Sequence, residues 1–367
     1  MNVLNTAQKG PNMDRRNFLR AAILVPTLGG TGLTLLLSGC STPTPGGDKK
    51  KPDSQKSTRP VVQQTYSTPF GFIPTFMDAY VAAEEGFWTE QGLDITVRGG
   101  QGASAGLQSV FAGSAQYGRS GGALLTADMI MKDIPVKVFF QAEQGGWQIV
   151  STNSHPITKP EQLRGKTLGV VSAGGETSTL MKIMLAKAGI QLSEITTPVV
   201  GVGPGAYQLA KDNKIDAWIA LTQDVFTFQE QGLPVQSFSL SEEAEVPGEA
   251  YVADIKLLES DRESVVGFAA GLLKAYEFLN KPANVDKAYA HYQVYNPGGA
   301  RNVFEDYLKV LLKEWYVKGA KSIGEIDPKE WDHGQQILKK YGVVDKTVAV
   351  SRLVDADIVK EAKKRLA

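Results

Sequence analysis

The stretch "PTFMDAYVAAEEGFWTEQGLDITVRG", residues 74–99, reads as a helix running into a strand. Pro74 suits the first turn of a helix, where its missing N–H costs nothing, and the segment 74–88 is predicted helical. "LDITVRG" (93–99) is the following strand. A strand-like "VVQQTY" (61–66) precedes the helix, so the unit is strand, helix, strand. Alternation of this kind favours a parallel or mixed sheet with helices on its faces.

Outward from this unit the alternation continues. A helix near 103–114 leads to "AQYGRS" (115–120), a helix "ALLTADMIMKD" (123–133) and strands "VKVFFQA" (136–142) and "WQIVST" (147–152). The pattern then restarts. "KTLGVVS" (166–172) runs into a helix at 177–189, and "TTPVVGV" (196–202) into one at 205–213. A strand "IDAWIAL" (215–221), a helix at 224–232 and a strand "VQSFSL" (235–240) complete the second series. After "EAYVAD" (249–254) come helices only, near 256–281, 283–294, 300–319, 328–341 and 355–366. Two α/β lobes and a helical tail are expected, with chain crossings near 145–150 and 247–253 and the tail packed back on the first lobe.

The N-terminal segment has a different character. "RRNFLRAAILVPTLGGTGLTLLLSGC" (15–40) holds a weakly apolar run from Ala21 to Leu37, interrupted by Pro26 and three glycines, and ends at the chain's single cysteine. The run has the length of a signal-peptide core and falls short of the ~20 residues of a membrane-spanning helix. "DRRNFLR" resembles the twin-arginine export motif and "LSGC" resembles a bacterial lipobox, which implies cleavage after residue 39 and a lipid on Cys40. The plain alternative is a short hydrophobic anchor with an incidental cysteine. Met13 is a second possible start. Residues 41–59 are Pro, Gly, Ser, Thr and charge, with no apolar residue to bury, and read as a disordered tether. Its Lys49-Lys50-Lys51 run is a solvated linker or a contact for anionic headgroups.

Composition narrows the function classes. The chain has 39 basic and 39 acidic residues; residues 1–39 contain four basic and one acidic, leaving 35 and 38 and a formal charge of −3. That balance argues against a nucleic-acid protein. With Cys40 lipidated, no thiol remains for a disulfide, a thiolate metal site or a cysteine nucleophile. His155, His291 and His333 lie far apart, so no histidine-rich metal motif is visible. About 330 residues suffice for two domains with their own cores.

In open α/β sheets, ligands bind beyond the carboxyl ends of strands, at helix N-termini. Here those junctions are small and polar: "GGQGASAG" (99–106), "GRSGG" (118–122), "SAGGETST" (172–179) and "GVGPGAY" (201–207). None is a Walker loop or a G-x-G-x-x-G fingerprint, and no G-x-S-x-G elbow occurs. Candidate ligand contacts are the aromatics Tyr66, Phe70, Phe72, Trp147 and Tyr251, with Gly121 and Gly174. The polar candidates are Thr75, Gln101, Ser104, Ser120, Gln144, Ser172, Glu176, Thr177 and Thr222. Each Ser or Thr could equally cap its helix. Trp218 is a core or a cleft residue, and Arg119 grips an anion or closes a salt bridge. Glu84-Glu85 reads as a solvated helix face, since adjacent helix residues point apart.

With these residues in view, the chain resembles the extracytoplasmic substrate-binding proteins of ABC importers, in the branch handling thiamine-pyrimidine precursors, sulfonates and nitrate. The resemblance rests on "AYVAAEEGFWTEQGLDITV" (79–97), "SVFAGSAQYG" (109–118), "PEQLRGKTLGVVSAGGET" (160–177) and "DNKIDAWIA" (212–220), and covers about 60–350. It implies a two-lobed α/β type II periplasmic-binding-protein fold with a helical C-terminal tail. Lobe 1 would be 60–146 and 252–367, and lobe 2 would be 147–251. It implies a monomeric, lipid-anchored binding protein outside the cytoplasm, in the periplasm or on the outer cell surface. Such a protein has no catalytic residues, metal or cofactor, and closes on a small solute to deliver it to a permease and its ATPase. The junction aromatics lean towards a planar vitamin or precursor ring, such as a thiamine pyrimidine or riboflavin. An alkanesulfonate- or nitrate-like anion, or an exported enzyme on the same scaffold, are the alternatives.

Overall fold

A computed structural model describes residues 60–367 apart from Gln144 and residues 316–318. The export signal, Cys40 and the tether lie outside the described residues. The first sheet has five strands in the order β2-β1-β3-β9-β4. These are β1 (Val62–Ser67), β2 (Leu93–Arg98), β3 (Tyr117–Gly121), β4 (Val136–Gln141) and β9 (Glu249–Asp254). β1 pairs in parallel with β2 and β3, whereas β9 runs antiparallel between β3 and β4. The second sheet has four strands in the order β6-β7-β5-β8. These are β5 (Trp147–Thr152), β6 (Leu168–Gly169), β7 (Ala217–Leu221) and β8 (Val235–Ser239).

Residues 74–99 fold as a 3-10 turn Pro74–Phe76, a helix Met77–Glu84 and then β2. The helix stops four residues before Trp88 because Gly86 takes a positive φ of 73° and turns the chain towards the strand. Trp88 then stacks on Phe268, and its Nε1 donates to the Phe268 carbonyl at 2.9 Å. Phe268 belongs to the long helix Arg262–Leu279, which also carries Gly271 against the Trp88 indole. This contact docks the helical tail on the first sheet's helix layer. The tail's helix Arg301–Trp315 also packs against the second-lobe helix Thr222–Glu230.

Two sequence expectations shift. "TTPVVGV" forms no strand; only isolated bridges at Thr196 and Val199 touch the Thr167–Val170 segment. Pro198, which has no N–H to give a ladder, sits in the middle, and its carbonyl accepts from Val170 N at 2.8 Å. The helix expected over 256–281 is two, Ile255–Ser260 and Arg262–Leu279. Asp261 breaks it and caps the second by accepting from Ser264 N at 3.3 Å.

Candidate functional site

The carboxyl end of β1 runs into Thr68-Pro69-Phe70, and that of β2 into Gly99-Gly100-Gln101. The two loops are knitted together. Gly102 N donates to the Pro69 carbonyl at 2.7 Å and Gly100 N to Thr68 Oγ1 at 3.1 Å. A Cβ at Gly100 would lie 1.9 Å from the Thr68 carbonyl oxygen, so only glycine allows this approach. Gly102 opens the helix Ala103–Phe111. From the second lobe, β6 leads through Val171-Ser172 to Gly175, whose φ of 86° starts the helix Glu176–Lys187. These junctions enclose a cavity of about 740 Å³, within the range of small-molecule sites.

The cavity brings together Phe70, Gln101, Ser104, Trp147, Ser172, Gly174, Glu176 and Thr177, with Gln108, Leu124 and Val202 beside them. Trp147, the first residue of β5, is 2% exposed. Its ring meets Phe70 edge-on with centroids 5.8 Å apart, so an aromatic pair joins a loop of one lobe to a strand of the other. Among the lining residues there is no Lys, Arg or His, and Glu176 is the one acid. Burial pushes the Glu176 carboxyl up to about 8, and the negative Glu249 adds to the rise. The Trp147 indole and the Gly121 amide temper it. Glu176 rests in a notch at the end of β3: a Cβ on Gly121 would stand 1.2 Å from its Oε1.

Other candidates lie elsewhere. Tyr66 and Tyr251 are fully buried in the first lobe's aromatic core around Phe268. They belong to packing, because they sit within the sheet and not beyond its strand ends. Phe72 packs on Tyr80 and Tyr295. Ser120 is buried in β3 opposite Ala250. Thr75 is buried and donates across the lobes to Gln223 Oε1 at 3.0 Å. Thr222 lines a separate cavity of about 800 Å³ with Gln148, whose Nε2 donates to Thr222 Oγ1 at 3.1 Å. Gln144 lies outside the described residues. Trp218 is core, edge-on to Tyr207 and Phe228.

Behind the cavity floor, Arg119 is 1% exposed and faces three carboxylates. Its Nε is 2.7 Å from Glu249 Oε2, and its Nη2 and Nη1 are 3.3 Å and 3.6 Å from Glu143 Oε1 and Asp78 Oδ1. Tyr251 and Tyr276 hydroxyls donate to Asp78 Oδ2 at 2.8 and 3.1 Å, and Tyr307 to Glu143 Oε2 at 3.2 Å. Burial holds Glu143 well above the usual carboxylate range, although Arg119 pulls it down. Arg119 therefore closes a buried salt-bridge network. Sequence reading passed over Asp78 and Glu143; the one signal was an acid directly after the apolar strand "VKVFFQA".

The family described as NMT1/THI5 like matches residues 73–284, more than half of the chain. The chain belongs to that family. A curated relative, the riboflavin-binding protein RibY of Chloroflexus aurantiacus, is 21% identical over 344 residues, covering 89% of this chain and 95% of RibY. Among solved structures, the alkanesulfonate-binding protein SsuA of Xanthomonas axonopodis pv. citri, bound to MOPS, superposes with a TM-score of 0.62. It is 14% identical, over 82% of this chain and 99% of SsuA. The periplasmic nitrate-binding protein NrtA of Synechocystis PCC 6803 gives a TM-score of 0.65 at 12% identity, over 83% and 89%. The fold is thus the two-lobed α/β fold of periplasmic binding proteins. Among the described residues no helix is long and apolar enough to cross a membrane, and no group of three or more His, Cys, Asp or Glu could hold a metal.

Proposed function

We propose that this NMT1/THI5-like protein captures a small, planar, uncharged organic solute in the Phe70–Trp147–Glu176 cavity and hands it to an ABC permease. One observation carries the reading: the cavity has no cationic side chain; burial, which lifts its one acid to about 8, works in the same direction by favouring the neutral form. A sulfonate or nitrate would arrive there without a counter-charge. The Phe70 and Trp147 rings suit a flat solute, each ring contact adding about 0.5–1.5 kcal/mol beyond burial. A vitamin or vitamin-precursor ring fits this chemistry, and the curated relative's name points to riboflavin.

Capture proceeds by closure. A ligand favours the closed form only by its differential affinity for it, and here both lobes supply walls. A micromolar dissociation constant, roughly −8 kcal/mol, lies within reach of two ring contacts and a few hydrogen bonds. A lipid on Cys40 and the segment up to residue 59 would keep the monomeric binding protein near its permease. The test is titration of the purified protein with riboflavin, a thiamine pyrimidine, an alkanesulfonate and nitrate, followed by tryptophan fluorescence and calorimetry. Binding of a neutral ring, recovered unchanged, is the expected result. Affinity for the anions alone would refute the reading, and turnover of the bound compound would favour the enzyme alternative.

A further inference from the structure

Resting on that reading of the cavity, we infer that the solute is recognised at a cyclic imide edge, acceptor–donor–acceptor, by the Glu176 carboxyl and the Trp147 indole N–H together. Both side chains line the same cavity. Trp147 is almost wholly buried, and the only group its Nε1–H meets among the described residues is the Glu176 carboxyl, without the geometry of a full hydrogen bond. A buried donor of this kind costs free energy until an acceptor arrives. The indole lowers the affinity of the Glu176 carboxyl for its proton, so donor and carboxyl stand side by side and can face one solute edge together.

The carboxyl's place is fixed from the other lobe. The bare Cα of Gly121 makes the notch that receives it; a Cβ there would overlap the carboxyl and displace it. Glu249, on β9 and itself paired to Arg119, is the charged group that acts on it, and its sign favours the neutral acid. A neutral carboxyl offers one donor and one acceptor. Its O–H meets one imide carbonyl, its C=O accepts the imide N–H, and the Trp147 N–H serves the second carbonyl. An aminopyrimidine pairs with the acid but leaves the indole without an acceptor. Flavins and pyrimidinediones share the imide edge.

The experiment titrates the full chain with riboflavin, N3-methylriboflavin, uracil and a 4-aminopyrimidine from pH 6 to 9.5. At least one imide binds, N3-methylation weakens riboflavin tenfold or more, and the aminopyrimidine binds more weakly than either imide. The riboflavin and uracil arms separate the two sources of the edge. Affinity falls as pH rises past about 8, where the acid ionises, approaching tenfold per pH unit. Glu176→Gln, which keeps a donor and an acceptor, binds within a few-fold of the parent and shows a flat pH profile. Trp147→Phe loses about tenfold with an unchanged melting curve. Equal affinity for the N3-methyl compound, or preference for the aminopyrimidine, overturns the imide edge and leaves the neutral-ring reading intact. Binding of anions alone, or of none of these compounds, overturns both.

Discussion

Replacing Arg119 with methionine removes the single cation facing Asp78, Glu143 and Glu249 while keeping most of the side chain's volume. All four groups are buried. Taking one partner from a buried charge cluster costs about 3–5 kcal/mol, chiefly because the opposing charges are stranded away from water. At about 2 °C per kcal/mol for a chain of this size, the melting temperature at pH 7.5 should drop by ~6–10 °C. The loss should shrink at pH 5. Without Arg119 the main opposition to the burial that already lifts Glu143 is gone, leaving the Tyr307 hydroxyl, so protons fill the vacated role as pH falls. Calorimetric melts of both proteins at the two pH values test this, with Arg119→Met/Glu249→Gln recovering part of the loss. A drop under 2 °C, or an equal drop at both pH values, would show that the cluster is not held by its charge.

Two further outcomes concern other parts of the fold. Gly271→Ala puts a Cβ 2.1 Å from Trp88 Cδ1; overpacking of about 1–3 kcal/mol should exceed the ~1 kcal/mol gain in helix propensity, and a melt no lower than wild type would count against it. Asp224 accepts from Leu221 N at 3.2 Å, yet burial lifts its carboxyl to about 6. A carboxyl raised on folding contributes stability below its ordinary value near 4 that is lost as pH rises through 6. Asp224→Asn should therefore gain on wild type between pH 4 and 7 in thermal melts; a difference that stays constant over this range would contradict the assignment.

Much of the architecture was legible because strand and helix periods are local. Residues 74–99 showed their helix and strand through Pro74 and the alternating apolar side chains, and "EAYVAD" coincides with β9. Where Pro198 removed a ladder donor, a locally strand-like run did not become a strand. The lining of the candidate cavity was legible in its loops. Gln101, Ser104, Ser172, Gly174 and Thr177 share small polar composition beside strand ends, and they do meet at one cavity. Tyr66 and Tyr251 lie in the first lobe's core and not at the cavity, because adjacency in sequence to a strand end says nothing about depth. Facing direction decides it, and both rings face Phe268. The carboxylates around Arg119 come from segments up to 171 residues apart in the chain (Asp78 to Glu249), and no local pattern announces such a meeting.

Arg119 also has a mechanical consequence. Glu143 stands just before the first crossing and Glu249 just after the second, so one guanidinium pins both passing strands to the same five-stranded frame. The spans beyond the pins are short, Gly145–Gly146 on one side and Val246–Gly248 on the other. Gly145, with φ of 147°, has no room for a Cβ, which would fall 2.4 Å from Ser241 Oγ. Any rotation of the smaller sheet during solute capture would then have to turn in those two spans, beside a salt bridge that holds their lobe-1 ends together.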